Sequence, residues 1–193
     1  MKFVKAFFVI LSVVSCSSDE TITTEEFRAY TGNYNIVSFK ANESVDLNND
    51  GISSEELMNE IDSFNDYFSG DLYIRPDNNG YDDVQLISFT FPKTKITFES
   101  LLHPEGDVSF IGFGNLSYYE FDSNTFILEE RQYIEYAYID NVEDNRTVYL
   151  ESDLTVKDSN HLELKLRKEY YDFNDAQWKM LDIDVLYEKI TSN

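Results

Sequence analysis

The sequence predicts an all-β domain, an antiparallel meander or closed barrel with one helix inserted after the first strand. Three observations predict it. Apolar and polar residues alternate with period two along most of the second half, as in Leu162, Leu164 and Leu166 against Glu163, Lys165 and Arg167. Short Asn/Asp/Ser/Gly clusters punctuate those runs. Strand-favouring Phe (15) and Tyr (14) are abundant while proline is scarce (3), so little of the chain is built as rigid linker.

The first strand is expected over 34–40, opened by Gly32-Asn33. Tyr34, Ile36 and Ser38 then face one way, and Asn35, Val37 and Phe39 the other. A loop and a helix follow over 45–69, where Leu57, Ile61, Phe64 and Phe68 recur at helical spacing. Further strands are expected at 72–75, 84–91, 95–102, 107–113, 116–121, 125–139, 146–156, 161–173 and 177–190. In the last, Leu181, Ile183, Val185 and Tyr187 alternate with Asp182, Asp184 and Glu188, so one face meets a core and the other water. Turns are expected at 77–80, 122–124, 140–145, 158–160 and 174–175. Long strands joined by short turns favour a sheet curled or closed to hide its edges.

Gly32-Asn33-Tyr34, a strand, a long first connection and a meander together resemble the lipocalin-like domains of bacterial lipoproteins. Lipocalins carry tryptophan where this chain has Tyr34. The resemblance implies an eight-stranded barrel over 27–190, hollow around a small apolar ligand or filled by its own side chains.

The N-terminus reads as an export signal over 1–15: Lys2 and Lys5, an apolar stretch from Phe7 to Val14, then Ser15-Cys16. The apolar stretch is shorter than the roughly 20 residues that span a bilayer. Val13-Val14-Ser15-Cys16 resembles the lipobox of bacterial lipoproteins, which implies cleavage before Cys16 and lipid on its thiol. Cys16 is the only cysteine, so no internal disulfide forms, and acylation gives the thiol a use. Residues 16–26 then form an acidic tether, and 27–193 the domain. Ser17 after the cysteine implies the outer membrane, and the acidic Asp19-Glu20 pair resembles tethers of surface-exposed lipoproteins.

A hydrophobic content of 42% excludes a disordered chain, and a formal net charge of -22 excludes nucleic acid as a partner. The same charge suits cations, basic partners or simply a solvated surface.

One motif carries chemistry. In Asp46-Leu47-Asn48-Asn49-Asp50-Gly51, alternate oxygen side chains gather on one side of a tight turn. Calcium takes six to eight such oxygens at about 2.3–2.6 Å. The six residues resemble the start of an EF-hand loop, with Gly51 at the sharp turn. Read as one residue short after Gly51, the loop would hold calcium by the side chains of Asp46, Asn48, Asp50 and Glu56 and a carbonyl near Ile52. Glu55 is the alternative acid. A bare turn capping the helix through Ser53 or Ser54 explains the same residues, and both can hold together.

The remaining candidates point away from an enzyme. His103 and His161 have no partners at metal-ligand spacing. Gly112-Phe113-Gly114 opens no helix, and no nucleophile elbow is present. Tyr118-Tyr119 and Tyr170-Tyr171 suit a ligand platform or an ordinary division between core and surface. The expected function is a non-enzymatic, lipid-anchored binding domain with a calcium loop. The alternative is a structural or interaction lipoprotein binding a protein or glycan on its outer face.

Overall fold

The computed structural model describes residues 27–61, 64, 71–75, 85–96, 108–136, 138–139, 142–143 and 145–191. The export signal, Cys16, the tether, Phe68, His103 and the 77–80 turn lie outside them. Its strands are β1 (Gly32–Val45), β2 (Ser54–Glu56), β3 (Leu72–Ile74), β4 (Leu86–Ile96), β5 (Val108–Asp122), β6 (Thr125–Leu128), β7 (Gln132–Glu135), β8 (Tyr138–Ile139), β9 (Val142–Glu143), β10 (Arg146–Leu150), β11 (Leu154–Val156), β12 (His161–Asp172) and β13 (Gln177–Lys189).

The main sheet closes into an eight-stranded antiparallel barrel, consistent with a lipocalin-like fold. Around the ring run β1, β3, β4, β5, β6, β11, β12 and β13, and β13 pairs back to β1. Sequence neighbours are therefore ring neighbours, an up-and-down order that short turns can make. Next to the ring, β7 pairs with β10, and β10 with β12. The small β8–β9 hairpin stands apart.

The period-two reading holds best in β12 and β13, which pair in register from His161↔Glu188 to Asp172↔Gln177. Leu162, Leu164 and Leu166 of β12 and Leu181, Ile183, Val185 and Tyr187 of β13 are buried. In β1 the alternation slips. A bulge between Ile36 and Ser38 leaves Val37 outside and turns Phe39 inward with Tyr34, Ile36 and Ala41. Two expected breaks do not occur. Segments 84–91 and 95–102 contribute to one strand, β4, which runs through Pro92, and 107–113 and 116–121 form the single β5. Conversely, 125–139 and 146–156 are each interrupted. Asp153 enters one gap, and its carboxylate accepts from Leu128 N (2.9 Å) and pairs with Arg131. Ser123 and Asn124 take positive φ (49° and 63°) in the turn from β5 to β6, which polar turn residues tolerate.

The inserted helix is a correction: no helix of seven or more residues is seen among the described residues. Ser54–Glu56 instead pairs with β1 as β2, and Leu57–Asn59 is a 3₁₀ turn. Glu56 makes the difference, because its carboxylate accepts from Phe39 N (2.8 Å) and Ser38 Oγ (3.0 Å) and pins this segment to the strand. Leu57, Ile61 and Phe64 are buried as their spacing required.

Aromatic rings pack through the interior. Phe91 stacks on Phe39 (6.4 Å) and Phe89 (6.1 Å), and Tyr170 meets Phe39 edge-on. Among them lies a buried ion pair. Lys168 Nζ donates to Glu135 Oε1 (2.7 Å) and Pro92 O (2.6 Å), and the Tyr170 hydroxyl donates to the same carbonyl. Asp71 is also buried; its Oδ2 accepts from Ile36 N (2.9 Å), while its Oδ1 has no hydrogen-bond partner among the described residues.

Burial pushes the Asp71 carboxyl up to about 7, against the opposing effect of the Ile36 N–H. In the folded state it therefore keeps its proton where the unfolded chain has released it. Stability should fall as pH rises from about 4 to about 7, by a few kcal/mol at order of magnitude, and level off above. Denaturant unfolding across that range checks this. Asp71→Asn should remove most of the slope; an unchanged slope would show that Asp71 is not its source.

Candidate metal centre

The Asp46 loop begins where β1 ends. Asp46 is 2% exposed, and its carboxylate is fixed by backbone donors: Asn49 N reaches Oδ1 (2.8 Å) and Gly51 N reaches Oδ2 (3.0 Å). Two positive φ values make that turn, Asn49 at 62° and Gly51 at 81°. Asn is the side-chain residue that best tolerates this region, and glycine enters it freely. Asn48 Oδ1 accepts from Asp50 N (3.0 Å), and Asp50 Oδ1 accepts from Ile52 N (2.7 Å). Each acidic or amide side chain thus folds back on the backbone ahead of it.

The third acid is Glu60. One carboxylate oxygen each from Asp46, Asp50 and Glu60 lies within 4.8 Å of the others. Glu60 is buried and its Oε2 accepts from Leu47 N (3.1 Å). Burial raises its pKa, partly opposed by the Leu47 N–H, and the Asp46, Asp50 and Asp172 carboxylates raise it further. Three converging carboxylates repel one another, and a bound cation would relieve that repulsion. Such a site could hold a metal ion by hard oxygen ligands.

The sequence-derived ligands separate into two groups. Asp46 and Asp50 lie together, beside Glu60. Asn48 stays at the loop, with Nδ2 donating to Asp50 Oδ2 (3.2 Å). Ile52 is 68% exposed, with its N–H on Asp50. Glu56 is not part of the cluster, since both its oxygens are taken by β1. Glu55 points away too, pairing with Lys40 (3.4 Å). Glu60 lies outside the reach of the sequence reading because the EF-hand loop count places the terminal acid at Glu56. With a strand and a 3₁₀ turn after the loop, the acid that returns to it lies later in sequence.

Asp172 anchors the loop from behind. Its Oδ1 accepts from Asp46 N (3.1 Å) and Asn174 N (3.1 Å), and Phe173 N donates to Asp46 O (2.8 Å). Burial pushes the Asp172 carboxyl up, but Lys179 (2.8 Å) and the two backbone donors outweigh it and hold it below the usual range. Lys179 also pairs with Asp175 (2.6 Å) and Glu43 (3.3 Å), neutralising part of an acidic neighbourhood.

Elsewhere, His161 opens β12 with Nδ1 on Asp158 (2.9 Å). Tyr118 is exposed and Tyr119 buried, the division expected of neighbours on a strand. Tyr170 and Tyr171 are both buried, the latter against Phe173 and Trp178. Comparison with known proteins returned no matching family model, curated protein or solved structure.

Asp172→Ala should destabilise the fold by about 1–3 kcal/mol, because it leaves the buried Asp46 N–H and the part-buried Asn174 N–H without their acceptor and removes one of the carboxylates on Lys179. Chemical denaturation should show a lower midpoint with unchanged slope. A loss below about 0.5 kcal/mol would mean that the β12–β13 turn does not hold the loop.

Proposed function

We propose that this chain is an exported, non-enzymatic lipoprotein, anchored to the outer membrane through lipid on Cys16, whose barrel carries one calcium ion in the Asp46 loop. The observation that carries the calcium reading is the convergence of Asp46, Asp50 and Glu60 on a loop whose backbone already orients Asp46. All donors are oxygens, with neither histidine nor cysteine among them, which suits a hard cation such as calcium over zinc or copper. Asn48 and the carbonyl near Ile52 would add two further oxygens, and water would fill the remaining positions. An affinity of about 10⁻⁴–10⁻³ M, the range of extracellular calcium modules, is expected of a single site.

The barrel's role is read as display. Aromatic rings pack inward among the described residues of its interior. Its outer face carries charged grooves, one lined by Lys40, Glu55, Lys165, Arg167 and Asp182. That combination favours a protein or glycan partner on the outside over a ligand within. The lipocalin-like family remains a likeness of architecture in this reading.

Calorimetric titration with calcium tests the site. Wild type should bind, Asp50→Ala and Glu60→Gln should lose at least about tenfold in affinity, and Glu56→Gln should bind as wild type does. Equal heats for wild type and Asp50→Ala would leave the loop a capped turn. For the anchor, Cys16→Ser should leave the membrane fraction; a variant still membrane-bound after a high-salt wash would exclude lipid on Cys16.

A further inference from the structure

The two ends of the barrel differ in what they carry. β1 spans the distance between them with 14 residues, Gly32–Val45. At about 3.3 Å per residue that is about 45 Å of strand, or about 35 Å along the barrel axis at the usual strand tilt. The chain enters at one end of this strand, and the Asp46 loop leaves from the other.

The entry end is built around the 3₁₀ turn Phe27–Tyr30. The Tyr30 ring packs against Phe121 (5.9 Å) and Phe126 (6.4 Å), beside the turn from β5 to β6. Tyr34 Oη donates to Tyr30 O (2.7 Å), and Lys189 Nζ, at the end of β13, donates to Ala29 O (2.5 Å). Lys189 N in turn donates to Asn160 O (2.8 Å), so the turn from β11 to β12 lies here as well. These contacts fix the point where the preceding segment joins the domain.

The far end holds the Asp46 loop and the turn from β12 to β13, joined by Phe173 N on Asp46 O and by Asp46 N on Asp172 Oδ1. Acids crowd it: Glu43, Asp46, Asp50, Glu60, Asp172 and Asp175, with Lys179 among them. The entry end is nearer to balance, with Arg28, Lys157 and Lys189 beside Asp122, Asp158 and Glu188. The domain thus concentrates acid at the end opposite the one where the chain enters.

We propose that the domain stands on the membrane by its entry end and holds the Asp46 loop at the end facing away from the bilayer. This rests on the reading that lipid on Cys16 anchors the chain. Residues 17–26 separate Cys16 from Phe27 and reach at most about 35 Å when fully extended, so the entry end stays within that distance of the lipid. Anionic headgroups repel acids within about one Debye length, about 8–10 Å, which disfavours a barrel tipped over to bring its far end down. A cation or partner therefore meets the Asp46 loop from the side away from the bilayer, clear of lipid phosphates that compete for calcium.

The test uses the lipidated chain in vesicles of phosphatidylethanolamine and phosphatidylglycerol whose headgroups carry a contact quencher. Lipid occupies the thiol of Cys16, the only cysteine, so an introduced cysteine is the single point for a fluorophore. Ser159→Cys marks the entry end and Gln177→Cys the far end, and both positions are exposed. Quenching should be at least about threefold stronger for Ser159→Cys than for Gln177→Cys, since a contact quencher does not reach across about 35 Å of barrel. Ser123→Cys, in the turn from β5 to β6, should match Ser159→Cys and guards against one misfolded variant. Equal quenching at the two ends, or stronger quenching for Gln177→Cys, in chain that sediments with the vesicles would overturn the orientation alone. Chain that does not sediment with them would overturn the anchor and the orientation with it.

Discussion

The ring closes through β1, and the rest of the molecule follows from that closure. β1 pairs with β13 on one side, with β3 on the other, and with β2 near its end. Among the described residues no other strand joins β13 to the first part of the barrel. A strand in this position must bend, and the bulge at 36–38 supplies the bend while returning Phe39 to the interior. The aromatic packing of Phe39 with Phe64, Phe91 and Tyr170 depends on that single extra residue.

Closure also sets the cost of the polar interior. Burial lowers the Lys168 pKa, and the adjacent Glu135 carboxylate opposes it. An ion pair in such a place contributes little net stability, yet removing one partner leaves a buried charge alone. Here the pair does a second thing: with Tyr170 it holds the Pro92 carbonyl and so fixes β4 beyond the point where β3 ends. Tyr133 and Tyr187 keep buried hydroxyls without hydrogen-bond partners among the described residues, and burial raises both well above the ordinary tyrosine range.

Much of the architecture was legible because an antiparallel barrel writes its faces into the chain with period two. β12 and β13 could be read residue by residue. β1 could be read only as far as Ile36, since a bulge leaves no mark on composition. Pro92 and Gly112-Phe113-Gly114 looked like breaks, but Pro92 faces Gly112 across a pair that exchanges no backbone hydrogen bond, so the ladder tolerates both. Leu57, Ile61 and Phe64 gave a helical spacing that a 3₁₀ turn and its sequel also satisfy. The EF-hand loop count, which ends at Glu56, hid the site's third acid. Asp46 and Asp50 were readable from the loop, whereas Glu60 became visible only once Glu56 was seen bound to β1.

The acidic loop sits at the end of the closing strand and is tied by Asp172 to the β12–β13 turn, so a cation there would brace the end of β1 against that turn. Anomalous diffraction from crystals grown with calcium locates such an ion directly. The expected result is one peak about 2.3–2.6 Å from oxygens of Asp46, Asp50 and Glu60, with Glu56 still on Phe39 N. A peak coordinated by Glu56 in place of Glu60, or none at saturating calcium, would contradict it.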